Sequence, residues 1–307
     1  MAGAPYSEDK ILPWTVAHFQ TFLGKVDLLV ALGEVTRILA AMENVGLLLP
    51  GGFDLRFPLA GQIYVANGVP TLQAKGDGRL WLSEVFGAEM IIPLYRAVTP
   101  QITGYPAGAN ANQQWGTGLI LDSSHVLTNR HVVEGMKRDI GMICAVQPFN
   151  AAAKSAIHVH SELDVAVIEM EFADSGTGLQ PLPGMVFRDP TWADETYVFG
   201  YPRVPMTTQM TITVQRGEVV NPSSESMPTR DPIFLYSAIA RPGNSGGPIV
   251  AGDGRVIGMV VEDSSETHAS NGAPVAAPFY RGIPSTTILR ALDDLGFGGI
   301  AQLETWD

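Results

Sequence analysis

From residue 88 onward, apolar positions gather in short runs separated by Gly, Pro, Asn and Ser. Runs over 89–99, 115–121, 125–129, 141–148, 156–160, 164–170, 195–200, 209–220, 232–238, 247–251, 255–262 and 277–282 read as strands. No helical spacing lies between them, so the pattern predicts antiparallel barrels or a sandwich rather than a parallel α/β sheet. The stretches 105–114 and 222–230 read as exposed loops. At the end, Ile288, Leu289 and Leu292 give one face of a helix over 285–295. Ser285 or Thr286 would cap it and Gly296 would end it.

The first 87 residues have a different texture. Val16, Phe19 and Leu23 recur at helical spacing within 8–23, with Pro13 in the first turn and Gly24 as a break. A second, longer helix is expected over 25–45, closing near Gly46 before Pro50-Gly51-Gly52. Its stripe of Leu28, Leu32, Val35, Leu39 and Met42 is widened by Val26, Leu29, Val30 and Ile38. A helix apolar on most sides is buried on most sides, against the rest of this chain or another subunit. A small hairpin is expected to pair 62–65 with 71–73 around Asn67-Gly68. The chain therefore divides into an α-rich extension over 1–87, of accessory or regulatory character, and a mainly β domain over 88–307.

Composition narrows the partners. Of 307 residues, 46% are hydrophobic and the net charge is −12. That excess of negative charge disfavours nucleic acid and anionic membrane surfaces. The one cysteine, Cys144, cannot form an intramolecular disulfide. It sits in an apolar run and reads as an inert core residue. Residues 1–10 carry no basic segment followed by an apolar one, and 26–49 hold Asp27, Glu34, Arg37 and Glu43. Neither a signal peptide nor a membrane span is expected, and the location expected is cytoplasmic.

The chemistry centres on Arg241-Pro242-Gly243-Asn244-Ser245-Gly246-Gly247-Pro248. A serine among glycines can protrude from a sharp turn, and the N–H groups of Gly243 and Ser245 can converge on an oxyanion. A serine nucleophile needs a base, and the base needs an orienting acid. His131, in Thr128-Asn129-Arg130-His131-Val132-Val133, is the candidate base. Asp164, opening Val165-Ala166-Val167-Ile168, is the candidate acid, with Glu162 and Asp174 as weaker rivals. His158, His160 and Glu162 could form half a metal site, but nothing completes it, so a solvated strand face is favoured. His18, His125 and His268 have no evident partners. No metal and no cofactor are expected.

In these three segments, and in Gly282-Ile283-Pro284-Ser285 before the last helix, the chain resembles the trypsin-like serine peptidases of the HtrA/Deg kind. The likeness spans about residues 90–300. It implies two six-stranded antiparallel β-barrels, a His131–Asp164–Ser245 triad in the chymotrypsin-type order, and a protein or peptide substrate. It implies a substrate pocket at Ile239 and Ala240, walled by Val260 and Val261, and hence cleavage after small or medium apolar residues. Where many trypsin relatives place an activating Asp, this chain has Asn244, so no cleaved N-terminus is expected to switch it on. Control would fall to loop ordering, to a partner, or to self-association through residues 1–87. No PDZ module of the Deg kind is expected after the helix. Two other readings remain. One is an inhibited or non-catalytic scaffold that binds a protein. The other is an α/β-hydrolase esterase, from the G-x-S-x-G match with His268 downstream.

Overall fold

The computed structural model describes residues 14–66, 81–106, 112–136, 138–144, 154–172, 178–261, 267–268, 274–275 and 279–304. The chain forms two compact units, Met1–Phe86 and Gly87–Asp307.

The first unit contains β1 (Trp14–Thr15), α1 (Val16–Lys25), α2 (Leu32–Asn44), β2 (Leu48–Phe53), β3 (Gln62–Ala66) and α3 (Trp81–Phe86). Thr15 caps α1: its Oγ1 accepts from His18 N at 3.1 Å, and His18 Nδ1 accepts from Thr15 N at 3.3 Å. Pro13 lies outside the described residues. The second helix is shorter than its apolar stripe suggests. Asp27 adopts φ 59, and the helix begins only at Leu32. Leu28 and Leu29, expected on its buried stripe, are instead 54% and 95% exposed. Only Val35 and Leu39 of the helix are buried, and they pack with Val16 and Ala60. The strand at Gln62–Ala66 pairs with β2 and β1 in the order β1-β3-β2. Its expected partner at 71–73 lies outside the described residues. Pro50 and two glycines disguise β2 as a loop, and its edge position explains why a proline is tolerated there.

The second unit opens with α4 (Ala88–Val98), where the pattern over 89–99 had suggested a strand. The apolar run Met90-Ile91-Ile92-Pro93-Leu94-Tyr95 is ambiguous in period. Burial of Ile91, Tyr95 and Val98, at spacings of four and three, is what settles it as a helix. Next come β4 (Pro100–Tyr105), β5 (Gln114–Thr117), β6 (Leu119–Ile120), β7 (His125–Thr128), the single turn α5 (Arg130–Val133), β8 (Arg138–Cys144), β9 (Lys154–Val159) and β10 (Ala166–Glu171). These strands make two antiparallel sheets, ordered β6-β7-β10-β9 and β5-β4-β8.

The remaining strands are β11 (Glu195–Gly200), β12 (Thr213–Glu225), β13 (Pro232–Tyr236), β14 (Pro248–Ala251), β15 (Val256–Val261), β16 (Thr267–His268), β17 (Pro274–Val275) and β18 (Tyr280–Pro284). Six of them close a barrel, β11-β12-β13-β18-β15-β14, and β16 pairs with β17. Among the described residues only this one barrel is closed; the earlier half is present as the two sheets. Every pairing of these strands is antiparallel, which rules out the parallel sheet of an α/β-hydrolase. The barrel core holds Val198, Phe234, Tyr236, Ile249, Ile257 and Val260. The Phe234 ring lies against Gly258 and Gly282, where a Cβ would meet its Cε1 at 2.5 Å in each case. Part of the 222–230 stretch expected as loop belongs to β12. The final helix, α5's larger counterpart α6 (Ser285–Asp294), is capped from outside itself. Asp189 Oδ1 accepts from Thr286 N at 2.9 Å, while Ser285 Oγ donates to Val256 O at 2.8 Å. Gly296, at φ +87, follows the helix end as expected.

Candidate active site

β7 delivers the candidate base. The strand ends at Thr128, Asn129 is fully buried, and the chain then turns once through α5 with His131 in that turn. The candidate acid sits on the loop between β9 and β10. His131 Nδ1 lies 2.7 Å from Asp164 Oδ2, and His131 N donates to Asp164 Oδ1 at 3.0 Å. Asn129 Nδ2 donates to Asp164 O at 2.9 Å. The carboxylate is thus held at both oxygens by one histidine, through its ring and its backbone. This fixes the ring's tilt and leaves Nε2 as the nitrogen that faces away.

His160 builds the loop that carries Asp164. Its ring is buried, and Nδ1 accepts from Glu162 N at 3.1 Å and from Leu163 N at 2.9 Å. Arg130 spans the same loop, donating through Nη1 to Ser161 O at 2.8 Å and His160 O at 3.2 Å. His160 and His158 have different partners. His158 Nε2 pairs with Glu169 at 2.9 Å, whereas His160 Nε2 lies 3.3 Å from Asp294. Among the described residues no group of His, Cys, Asp or Glu could hold a metal ion. Two histidines that showed no partner in the pattern have one in space. His125 Nδ1 is 2.9 Å from Asp122, and His18 closes the Thr15 cap.

Ser245 stands in the turn before β14. Gly243 and Gly246 have φ +101 and +83, a region that favours glycine. Space demands glycine too. A Cβ on Gly246 would come within 2.1 Å of Thr117 O, and one on Gly243 within 2.4 Å of Tyr201 O. Thr117, fully buried, ties this turn to the first half of the unit. Its Oγ1 donates to Gly243 O at 2.7 Å and accepts from Tyr201 N at 3.0 Å. Its backbone N donates to Ser245 O at 2.9 Å, and its carbonyl accepts from Thr128 Oγ1 at 2.8 Å. Neighbouring Asn244 is 1% exposed, and its side-chain amide makes no hydrogen bond to a described residue.

Ser245, Gly243 and His131 line one cleft of about 260 Å³, together with Gln113, Gln114, Trp115, Val132 and Pro242. Ile239, Ala240, Val260 and Val261 are not among the residues that line this cleft. Ala240 and Val260 belong to the buried barrel core, and Val261 lines a separate cavity beside Asp164. Ile239 is 44% exposed. Trp115 and Thr117 went unnoticed in the sequence, and His160, expected on a solvated strand face, is instead buried in the loop that carries Asp164, because each acts through tertiary hydrogen bonds or packing that leave no local motif.

Residues 116–259 match the trypsin-like peptidase domain family. This stretch contains His131, Asp164 and Ser245. Among curated proteins, the chain is 28% identical over 178 residues to "Putative protease Do-like 12, mitochondrial" of Arabidopsis thaliana, covering 56% of this chain and 34% of that protein. It is 28% identical over 251 residues to "Magnetosome formation protease MamE" of Magnetospirillum gryphiswaldense, covering 75% of this chain and 29% of that one. The chain thus spans about a third of the length of the curated relatives it matches. Among solved structures, the HtrA-type protease AlgW with tripeptide superposes with a TM-score of 0.52 at 18% identity, covering 67% of this chain and 62% of AlgW. That likeness bears on the fold of the peptidase domain. No helix among the described residues is long and apolar enough to cross a membrane.

Proposed function

We propose that the chain is a serine endopeptidase acting through Ser245, His131 and Asp164. The observation that carries this reading is the 2.7 Å contact of His131 Nδ1 with Asp164 Oδ2, in a domain whose family is peptidolytic. With Nδ1–H held by the carboxylate, Nε2 is the nitrogen that acts as base. It takes the proton of Ser245 Oγ as the oxygen attacks the substrate carbonyl. The N–H groups of Gly243 and Ser245 stabilise the oxyanion. Collapse breaks the C–N bond, and His131 returns the proton to the leaving amine. Water, deprotonated by the same nitrogen, then releases the acyl group from Ser245.

On the acyl side we assign the substrate side chain to Ile239, half-exposed and flanked by Ala238 and Ala240. An apolar contact there favours cleavage after Val, Ala, Ile or Leu, since a buried ammonium or guanidinium without a carboxylate costs several kcal/mol, of order 3–5. Residues 1–87 serve as an accessory segment for a protein partner or a second copy. Exposed Leu29, Leu55 and Leu59, at 95%, 85% and 85%, support this role.

A serine-directed phosphonate tests the reading. It should label Ser245 and no other residue, and Ser245→Ala or His131→Ala should abolish peptide turnover in a folded protein. Asp164→Asn should lower kcat by about 10⁴. Labelling at full rate in His131→Ala would remove His131 as the base. A peptide-library profile dominated by cleavage after Arg or Lys would overturn the assignment of Ile239.

A further inference from the structure

The cleft at Ser245 does not end at Trp115. Gln113 and Trp115 also line a second, larger pocket of about 890 Å³. Its lining includes Arg96 from the last turn of α4, Arg203 from the loop between β11 and β12, and the buried residues Gln101 and Tyr201. Both arginines are exposed. None of the described residues lining the pocket is acidic, in a chain that carries 31 Asp and Glu against 19 Lys and Arg. Among the described residues, this concavity beside the Ser245 cleft is lined by two arginines and no carboxylate, although the protein as a whole is acidic.

The pocket also has a defined position along a bound peptide. A Cβ on Gly243 would lie 2.8 Å from Trp115 Nε1 and 2.4 Å from Tyr201 O, so Gly243 is walled by two residues that line the basic pocket. Ile239, assigned above to the acyl side, lies before Gly243 in the chain and outside this cleft. Gln113 and Trp115 share the cleft with His131, the group that protonates the departing amine. The basic pocket accordingly continues the leaving-group side of the cleft.

We propose that this pocket binds a carboxylate on the leaving-group side of the cut, and that the enzyme selects peptides with Asp or Glu, or a free C-terminus, within the first few residues after the scissile bond. The assignment rests on the endopeptidase reading above. The exposed Arg203 guanidinium can offer paired N–H donors to a carboxylate, and Gln113 lines the same pocket.

The test uses the full chain and matched peptides with Glu or Gln at each of the first three positions after the cut. A second pair carries a free or an amidated C-terminus. Wild-type kcat/KM should favour the carboxylate by about fivefold, the scale of an exposed ion pair, and the preference should shrink as salt rises. Arg203→Glu should invert the ratio. A ratio taken within one variant is insensitive to partial misfolding. A preference for the free C-terminus without one for interior Glu supports the pocket with the terminal carboxylate as its ligand. If turnover is absent, Ser245→Ala is titrated with the same labelled peptides and read by anisotropy. Tighter binding of the carboxylate peptides supports the pocket even where the catalytic reading fails. Equal affinities, or equal kcat/KM in an active enzyme, overturn it.

Discussion

Thr117→Val removes one hydroxyl from a fully buried site and keeps the side chain's shape. Two groups lose their partner: Gly243 O, which accepts from Oγ1 at 2.7 Å, and Tyr201 N, which donates to it at 3.0 Å. Both residues are buried, so water cannot replace the lost bonds without a rearrangement. An unsatisfied buried backbone group costs about 1–3 kcal/mol. Two such groups, with partial relaxation, amount to roughly 2–4 kcal/mol. At about 2–4 °C per kcal/mol for a unit of this size, Tm should fall on the order of 10 °C. Activity should fall as well, and for a separate reason. Thr117 Oγ1 fixes the carbonyl of Gly243, while Thr117 N holds the carbonyl of Ser245 at 2.9 Å. In the proposed mechanism, loosening Gly243 would turn its N–H away from the oxyanion. Loss of a whole donor costs about 10²–10³ in kcat, so a misaligned one should cost at least tenfold. KM should change little, because the loss is confined to the transition state. Thr117→Ser keeps the hydroxyl and should recover most of kcat. Thermal melts and steady-state kinetics on both variants decide the matter. A Thr117→Val protein with wild-type Tm and kcat would refute the reasoning.

His160→Ala should reduce kcat several-fold or more, because Glu162 N and Leu163 N lose their acceptor and the loop holding Asp164 is released; His160→Asn, which offers an oxygen near the position of Nδ1, should restore much of it in the same assay. Glu304→Gln leaves the Arg255 guanidinium, 2% exposed, without its carboxylate partner, and should destabilise the domain by about 3 kcal/mol in urea titration; replacing both residues by apolar ones of similar volume should recover most of that loss. Tyr95 donates to Gly254 O at 2.6 Å from a fully buried site, and burial holds its hydroxyl neutral far above the usual phenol range. The unfolded chain can ionise Tyr95 above about pH 10 while the folded chain cannot, so its stabilisation is complete below that pH and is lost as pH rises further. Tyr95→Phe should lower stability at pH 7 by about 1–2 kcal/mol and flatten the decline above pH 10. A decline as steep as in the wild type would assign it to other tyrosines.

The residues of the catalytic proposal were legible in the chain because each lies in a locally encoded segment. Ser245 sits in a glycine-rich turn whose backbone only glycine tolerates at positions 243 and 246. His131 follows a short apolar strand, and Asp164 precedes another. The strands of the second half were legible for the same reason, since alternation and turn residues are properties of neighbours. The closing helix, too, announced itself through Ile288, Leu292 and Gly296. Other features depended on contacts that no local pattern carries. The run at 89–99 is a helix because Ile91, Tyr95 and Val98 find burial together, and α2 starts at Leu32 because the chain turns through a positive φ at Asp27. Alternation told that Val260 has an apolar face, but only barrel closure decided that the face is core and not cleft. The loop position of Asp164 depends on the buried ring of His160, and the seating of Gly243 on the hydroxyl of Thr117, 126 residues away in sequence. The basic pocket joins Arg96, Trp115 and Arg203, which have no spacing in common. Such sites are assembled by burial and hydrogen-bond satisfaction across the whole unit, so they become visible only when distant strands and loops have been brought together.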